Sequence, residues 1–464
     1  MVKWVIAAFL IGIFDKAAGG SNWAVIVAGS RGFWNYRHQA DVCHAYHVVR
    51  RNGISSDKVI LMSYGDAAHS TENPFPGQLF NKPTPDGVGG YDVNRGCAPS
   101  YSGDNVTAEN FLAVLKGDNK TTEGKPVLQS TKEDRVFVYF ADHGGVGLVA
   151  MPAGDPVYAQ DLIDALRFMS VNGMFKELVF YMEACESGSM FEGLLPSDAN
   201  IYATTAANAR ESSYGTYCGE DSSVNGTRIG SCLGDLYSVN FLENSDEPSM
   251  FHTETLDTQF ALVKNETSKS HAQKARRLFE RFISLIPLGD WAYRDIFGTL
   301  GMGKDHVEWF LGAVGFPSLH RGPYGDGAAA VARIPTPKNG VNSRNIKLHS
   351  LRYRRSQLKD PTRGREADAL TEQISEEVAM RSRTVKIFAD ISSKTSGGAR
   401  LPGLTGVFTE HSCLKAASNA VIAKCGAWND FSLAFVRSLA TLCQAGYQPL
   451  QIEIAADSAC RVDH

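Results

Sequence analysis

The sequence predicts an α/β fold: a mainly parallel sheet covered by helices on both faces, followed by a helical C-terminal region stapled by cysteines. Three observations predict it. Short β-rich apolar runs alternate with helix-like stretches through the first half of the chain, the pattern of strands joined by crossover helices. Polar, Gly/Ser-rich clusters follow directly after four of these runs, as loops do beyond the carboxyl ends of parallel strands. Finally, Cys413, Cys425, Cys443 and Cys460 crowd the C-terminus.

The chain opens MVKWVIAAFLIGIFDKAAGG, with a basic Lys3, an apolar stretch from Trp4 to Phe14 and small residues from Ala17 to Gly20. This predicts a secretory signal peptide over residues 1–20. About eleven apolar residues are too few to span a bilayer, and no later run supplies roughly eighteen. A soluble mature chain is expected to begin near Gly19 to Asn22.

The first strand, WAVIVA at 23–28, gives way to AGSRGFWNYRHQ and a helical RHQADVCHAYHVVRR. VILM at 59–62 is the second strand, and VFVYFA at 136–141 runs into DHGG. A helical YAQDLIDALRFMSV precedes LVFYM at 178–182, which ends in EACESGS, and IYATT at 201–205 ends in AANARESSY. Polar turns end strands in any fold; it is their gathering on one sheet edge that marks a candidate site. From about 271 to 345 the pattern loosens into glycines and prolines. The basic stretch SLRYRRSQLKDPTRGR at 350–365 reads as a solvated linker or helix face rather than a nucleic-acid patch. The expected domains are 21–330, a linker at 331–365 and a helical domain at 366–464.

With 464 residues, 43% of them hydrophobic, the chain is globular and long enough for two domains or more. A net charge of −4 gives no overall electrostatic case for nucleic acid or an anionic membrane. The secretory route gives the nine cysteines an oxidising setting. Sequons at Asn105, Asn119, Asn225 and Asn265 fit the same route as glycosylation sites. Nine is odd, so at least one thiol stays unpaired. The four C-terminal cysteines together with Cys218 and Cys232 read as three bridges, leaving Cys43, Cys97 and Cys185.

Two of the strand-end residues carry chemistry. A thiol–imidazole pair across two adjacent loops turns a weak nucleophile into a thiolate near neutral pH, and Cys185 and His143 stand at corresponding strand ends. Taken singly, such residues are usually structural. Gly144 beside His143 strengthens the pairing, because glycine lets backbone N–H groups approach a developing oxyanion closely. Cys43, His44 and His47 share one helix and lack a matching second ligand pair, so no metal is expected, and no cofactor is implied.

The segments NYRHQADVCHAY, YFADHGG, FYMEACESGS, ATTAANARESSY and CLGDLYSV resemble the legumains, asparaginyl endopeptidases also called vacuolar processing enzymes. The resemblance covers roughly residues 21–270 and the cysteine-bearing C-terminus. It implies a caspase-like α/β/α sandwich, with Cys185 as nucleophile, His143 as base, Asn35 orienting the imidazole and Gly144 at the oxyanion hole. It also implies a specificity pocket of Arg37, His38, Glu183, Ser213 and Asp235. A primary amide offers one acceptor oxygen and two donor hydrogens, so a pocket mixing arginine with carboxylates suits asparagine. Glu186, the other acid flanking the thiol, reads as a solvated loop residue.

For the C-terminus the resemblance implies an all-α prodomain acting as the enzyme's own inhibitor, with Cys413 paired to Cys443 and Cys425 to Cys460. Spacing alone leaves three connectivities open. Cys218 and Cys232 resemble a bridge of plant members. Self-processing is expected at Asn339, Asn342 or Asn345 of the linker. The implied activity is an acid-activated zymogen of the vacuole or lysosome that cleaves peptides and proteins after asparagine, and after aspartate in acid. The alternative is a peptide ligase using the same thioester. One departure stands out: the family's SH dipeptide usually continues into a VMQYG-like segment, whereas SHAQKARRLFERF follows here, and residues 272–333 have no physical account.

Overall fold

In a computed structural model, residues 20–247, 253–274, 297–312, 340–359 and 361–461 are described. Five parallel strands form the spine: β1 (Asn22–Ala28), β2 (Val59–Met62), β3 (Arg135–Ala141), β4 (Glu177–Glu183) and β5 (Ile201–Thr205). Their order is β5-β4-β3-β1-β2, and two short antiparallel pieces, Gln273–Lys274 and Phe297–Gly298, extend the β5 edge to make a seven-stranded sheet. Those pieces lie in the segment that had no sequence-level account. Beyond the outermost residue, every side chain of β1, β3 and β4 is buried. Such continuous apolar runs are what a sheet covered on both faces requires.

The two faces carry separate cores. Ala24, Ile26 and Tyr139 point into one, with Tyr36, Val48 and Val49 of α1 (Tyr36–Arg51) and Val239 and Phe241 of α4 (Leu236–Asp246). Val25, Val27 and Val138 point into the other, with Phe111 and Val114 of α2 (Ala108–Lys116) and Leu162 and Leu166 of α3 (Ala159–Val171). Alternation along each strand therefore yields the expected α/β/α sandwich, and burying each Ile or Phe contributes roughly 1.5–3 kcal/mol. Local signals set the helix ends. The Thr107 side chain accepts the Asn110 N–H to cap α2, Gly117 closes it at φ 68°, and Arg50 and Arg51 sit at the negative end of α1.

A further helix, α5 (Leu256–Glu266), completes this part. The rest of the chain contributes α6 (Ile346–Gln357), the long α7 (Gly364–Ser396), α8 (His411–Cys425), α9 (Val436–Gln444) and α10 (Pro449–Cys460). Bridges Cys413–Cys443 and Cys425–Cys460 staple α8 to α9 and α10, in the pairing the resemblance implied, and Cys218–Cys232 also forms. One expectation is overturned: Cys43 and Cys97 are not left over but bonded to each other, tying α1 to the connection between β2 and α2. Fifty-four residues separate them, so nothing local in sequence marks the pair. Among the described residues Cys185 is the free cysteine.

The signal-peptide segment, apart from Gly20, Asn339 and the expected boundary at 330 lie outside the described residues. The basic stretch forms much of α6 and the start of α7. All four sequon asparagines are exposed, Asn225 in a hairpin turn at φ 49°.

Candidate active site

The sheet register brings the catalytic candidates together. Ala28 pairs with Ala141 and Ala141 with Glu183, so β1, β3 and β4 end level with one another. The loops leaving them stay joined, with Gly29 N–H donating to the Ala141 carbonyl at 3.1 Å and Asp142 N–H to that of Glu183 at 2.9 Å. His143 and Cys185 each follow two residues after a register-paired strand end, both buried. The approach is close enough that a Cβ on Gly144 would lie 2.4 Å from the Cys185 carbonyl oxygen, so only glycine fits there.

The hydrogen bonds assign the imidazole its tautomer. His143 Nε2 lies 2.7 Å from Asn35 Oδ1, an oxygen that can only accept. Nε2 therefore carries the hydrogen, and Nδ1, buried and without a partner, is left as the basic nitrogen. Asn35 ends a 3-10 turn, Phe33–Asn35, that leads into α1, and its Nδ2 holds the Arg31 carbonyl. The Cys185 Sγ accepts the Ser213 N–H at 3.3 Å. Burial pushes its thiol pKa up, with Arg344 opposing and Glu186 adding to the rise.

The pocket candidates converge on the other side. Arg37 Nε donates to Asp235 Oδ1 at 2.8 Å, both buried. His38, whose Nδ1 is 2.6 Å from Ser30 Oγ, sets Nε2 3.2 Å from Asp235 Oδ2. Burial and Arg37 push the His38 pKa down to about 3, so its ring is neutral. Burial raises Asp235, but Arg37 and His38 outweigh it and hold it ionised. Glu183 is pushed well above the ordinary carboxylate range, by burial first and then by the Asp235 charge. The N–H and hydroxyl of Ser238 both donate to Glu183 Oε2. Four buried polar atoms of the pocket candidates remain without a hydrogen bond: Arg37 Nη2, His38 Nε2, Glu183 Oε1 and Asp235 Oδ2, with His38 Nε2 facing Asp235 Oδ2 at 3.2 Å. Buried groups of this kind are costly unless something pairs with them.

The chain covers its own site. Val341–Asn342 pairs antiparallel with Tyr214–Gly215, next to Ser213, and the Ser343 N–H donates to the Ser213 carbonyl at 3.1 Å. Arg344 then donates to the Gly144 carbonyl at 2.8 Å and to Glu186 Oε2 at 2.5 Å. Arg437 of α9 reaches Glu186 Oε1 at 2.9 Å. Glu186 is thus no solvated loop residue: it is 4% exposed, at φ 51°, between two arginines far away in sequence. Asp430 Oδ1 lies 3.4 Å from His143 Nε2. Apolar contacts back these polar ones, with Val146 and Leu148 sharing a core with Leu414, Leu433 and Val436. A cavity of about 750 Å³ remains, lined by Asn35 and His143 of the peptidase and by Met380, Trp428 and Asp430 of the C-terminal helices and loops.

A free thiol and an imidazole on neighbouring strand ends of an α/β/α sandwich, beneath helices of the same chain, is the layout of a cysteine-type endopeptidase held shut. The chain belongs to the Peptidase C13 family, whose model matches residues 22–281, and the legumain prodomain matches residues 372–460. It is 35% identical over 456 residues to a vacuolar-processing enzyme of Vicia sativa, covering 96% of this chain and 87% of that one. Legumain of Mus musculus is 36% identical over 463 residues, covering 97% and 95%. A caspase-1 from Spodoptera frugiperda matches 53% of this chain and 76% of its own at a TM-score of 0.29, too low to bear on the fold, which the layers above establish.

Sequence reasoning missed Glu186, Arg344, Arg437 and Asp430 as parts of the site. The flanking position of Glu186 was visible, but its partners lie 158 and 251 residues away, and no local pattern joins them.

Proposed function

We propose that this peptidase cleaves after asparagine, and after aspartate in acid, and that it is made as a zymogen of the vacuole or lysosome whose helices over 366–464 act as its inhibitor. The observation that carries the specificity is the set of unpaired buried atoms in the pocket. A side-chain amide would accept from Arg37 Nη2 and donate to Asp235 Oδ2 and Glu183 Oε1. A pocket left with polar atoms unpaired discriminates strongly against side chains that cannot pair with them.

In the open enzyme the Cys185 proton passes to His143 Nδ1 and the sulfur attacks the carbonyl carbon of the asparagine. The oxyanion is stabilised by backbone N–H groups at Gly144 and Cys185. Its collapse expels the amine, which takes the proton from His143, and leaves an acyl-thioester. Water, deprotonated by the same nitrogen, then releases the acid product. Asn35, by holding the hydrogen on Nε2, leaves Nδ1 free to act as the base throughout.

Shutting follows from the segment Val341–Arg344, which takes the β-pairing an extended substrate would make with Tyr214–Gly215. Asn342 and Asn345, on either side of the docked Ser343 and Arg344, are proposed cutting points, together with Asn339. Acid-treated protein incubated with matched Asn, Asp and Lys reporter peptides tests the reading: cleavage of the Asn reporter alone near neutral pH is expected, and preference for Lys refutes it. Cys185→Ala and His143→Ala should each abolish turnover while the fold persists.

A further inference from the structure

Behind the specificity pocket, Asn81 joins both of its walls. It is 4% exposed and comes from the excursion between β2 and β3. Its Nδ2 donates to Asp41 Oδ1 of α1 at 2.7 Å and to the Leu233 carbonyl at 2.9 Å. Two residues after Leu233, the backbone N–H of Asp235 donates to Asp41 Oδ2 at 3.0 Å. The intervening Gly234 is pressed against the same groups: a Cβ there would lie 2.9 Å from Asn81 Nδ2 and 2.9 Å from Asp41 Oδ1. Asp41 is one turn along α1 from Arg37 and His38. The Asn81 amide thus fixes the spacing between the helix that carries Arg37 and the residue that leads into α4, Asp235.

The orientation of that amide is itself determined. Both neighbours of Nδ2 are acceptors, so Oδ1 must face the remaining partner, His44 Nδ1, at 2.7 Å. His44 Nε2 faces Asp246 Oδ2 at 3.0 Å, and Asp246 is in turn held by Arg51 at 2.7 Å. Both ring nitrogens of His44 therefore face acceptors, which makes it an imidazolium. Burial opposes this, but the Asp246 carboxylate outweighs it and the His44 pKa lies above its ordinary value. The chain of contacts runs from Arg51 at the far end of α1 to Asp235 in the pocket.

We propose that Asn81 is a positioning residue for substrate specificity: it holds Asp235 against Arg37 by tying Leu233 to Asp41, with the His44 imidazolium locking the amide from behind. It touches no substrate. The inference rests on the pocket reading given above, so Asn-selective cleavage by the wild-type, acid-activated protein is the first arm. Failure of that arm refutes the pocket reading itself.

With it in hand, Asn81→Ala should raise KM for an asparagine reporter and erode the Asn-over-Asp preference, each on the order of tenfold, with kcat nearly unchanged. Asn81→Asp keeps the shape but turns an acceptor towards Asp41 and Leu233, and should behave alike if the alanine variant does not fold. Pairing it with Asp41→Asn restores a donor between the two positions and should recover part of the lost selectivity. A structural role alone would lower the melting temperature and leave KM and selectivity untouched. Wild-type KM and wild-type Asn-over-Asp ratio in a folded Asn81 variant, or a loss confined to kcat, overturns the proposal.

Discussion

The Oδ1 of Asn35 accepts two hydrogen bonds, from His143 Nε2 at 2.7 Å and from Arg37 Nη1 at 3.3 Å. One oxygen thus orients the proposed base and steadies Arg37 of the proposed specificity pocket, giving the two proposed sites a common anchor. Removing it frees the imidazole to rotate and to adopt the tautomer whose Nδ1 already carries a proton. Asn35→Ala is expected to lower kcat roughly 100-fold, the lower end of what a positioned general base contributes, while the melting temperature stays close to wild type. Steady-state kinetics on an asparagine reporter beside a thermal melt would check this, and an unchanged kcat would count against the assigned orientation.

Charge in the proposed pocket should give a pH-dependent preference. Asp235 is ionised and Glu183 is already pushed up by burial and by that charge. A substrate aspartate entering as an anion adds to the repulsion, whereas its protonated form resembles asparagine. Protonation begins as pH falls towards the roughly 3.9 of a free aspartate. The ratio of Asp to Asn cleavage should therefore rise as pH drops from about 7 to about 4, and a flat ratio would contradict the pocket's charge assignment. Asp235→Asn should flatten the dependence, because it removes the ionised acid of the two.

The Cys43–Cys97 bridge fastens α1, which carries the pocket residues Arg37 and His38, to the excursion that carries Asn81. Closing a loop of 54 residues restricts the unfolded chain, so Cys97→Ser should cost about 2–4 kcal/mol of stability. Chemical denaturation under non-reducing conditions reads this directly. A midpoint equal to wild type would mean that the loop is held by its packing alone.

How much of this was legible differs by kind of interaction. VILM and IYATT were read at their observed bounds, and the other three strands to within a residue, because each run is buried on both faces and its hydrophobicity has no solvent side to interrupt it. His143 and Cys185 were legible because parallel strands put their carboxyl ends on one edge. Glu186 was misread because its environment is made by Arg344 and Arg437, which arrive from the linker and cap. The same holds for Cys43: its neighbours in sequence are helix residues, and its partner comes from a loop. Asn81 carried no signal, since a single asparagine outside any motif looks like a turn residue until Asp41, His44 and Leu233 surround it.

If acid releases the cap, the contact expected to respond is Asp430 rather than Glu186. Burial alone would raise the Asp430 pKa, but His143, Arg37 and His38 on the peptidase side outweigh it and hold the carboxyl below its ordinary value. A carboxylate depressed in the shut form stabilises that form above its ordinary pKa of about 3.9, and the stabilisation is lost as pH falls through that value towards the depressed one. The side chain is 40% exposed, so solvent weakens the effect without reversing it. Glu186 differs: burial holds its pKa above the ordinary value despite Arg344 and Arg437, so it is not depressed in the shut form as Asp430 is. Asp430→Asn should therefore let the cap release at a higher pH than wild type, and Glu186→Gln should not. Following self-processing of the purified zymogen by gel across a pH series checks both. A wild-type release profile for Asp430→Asn would exclude the His143 contact as the acid-sensitive latch.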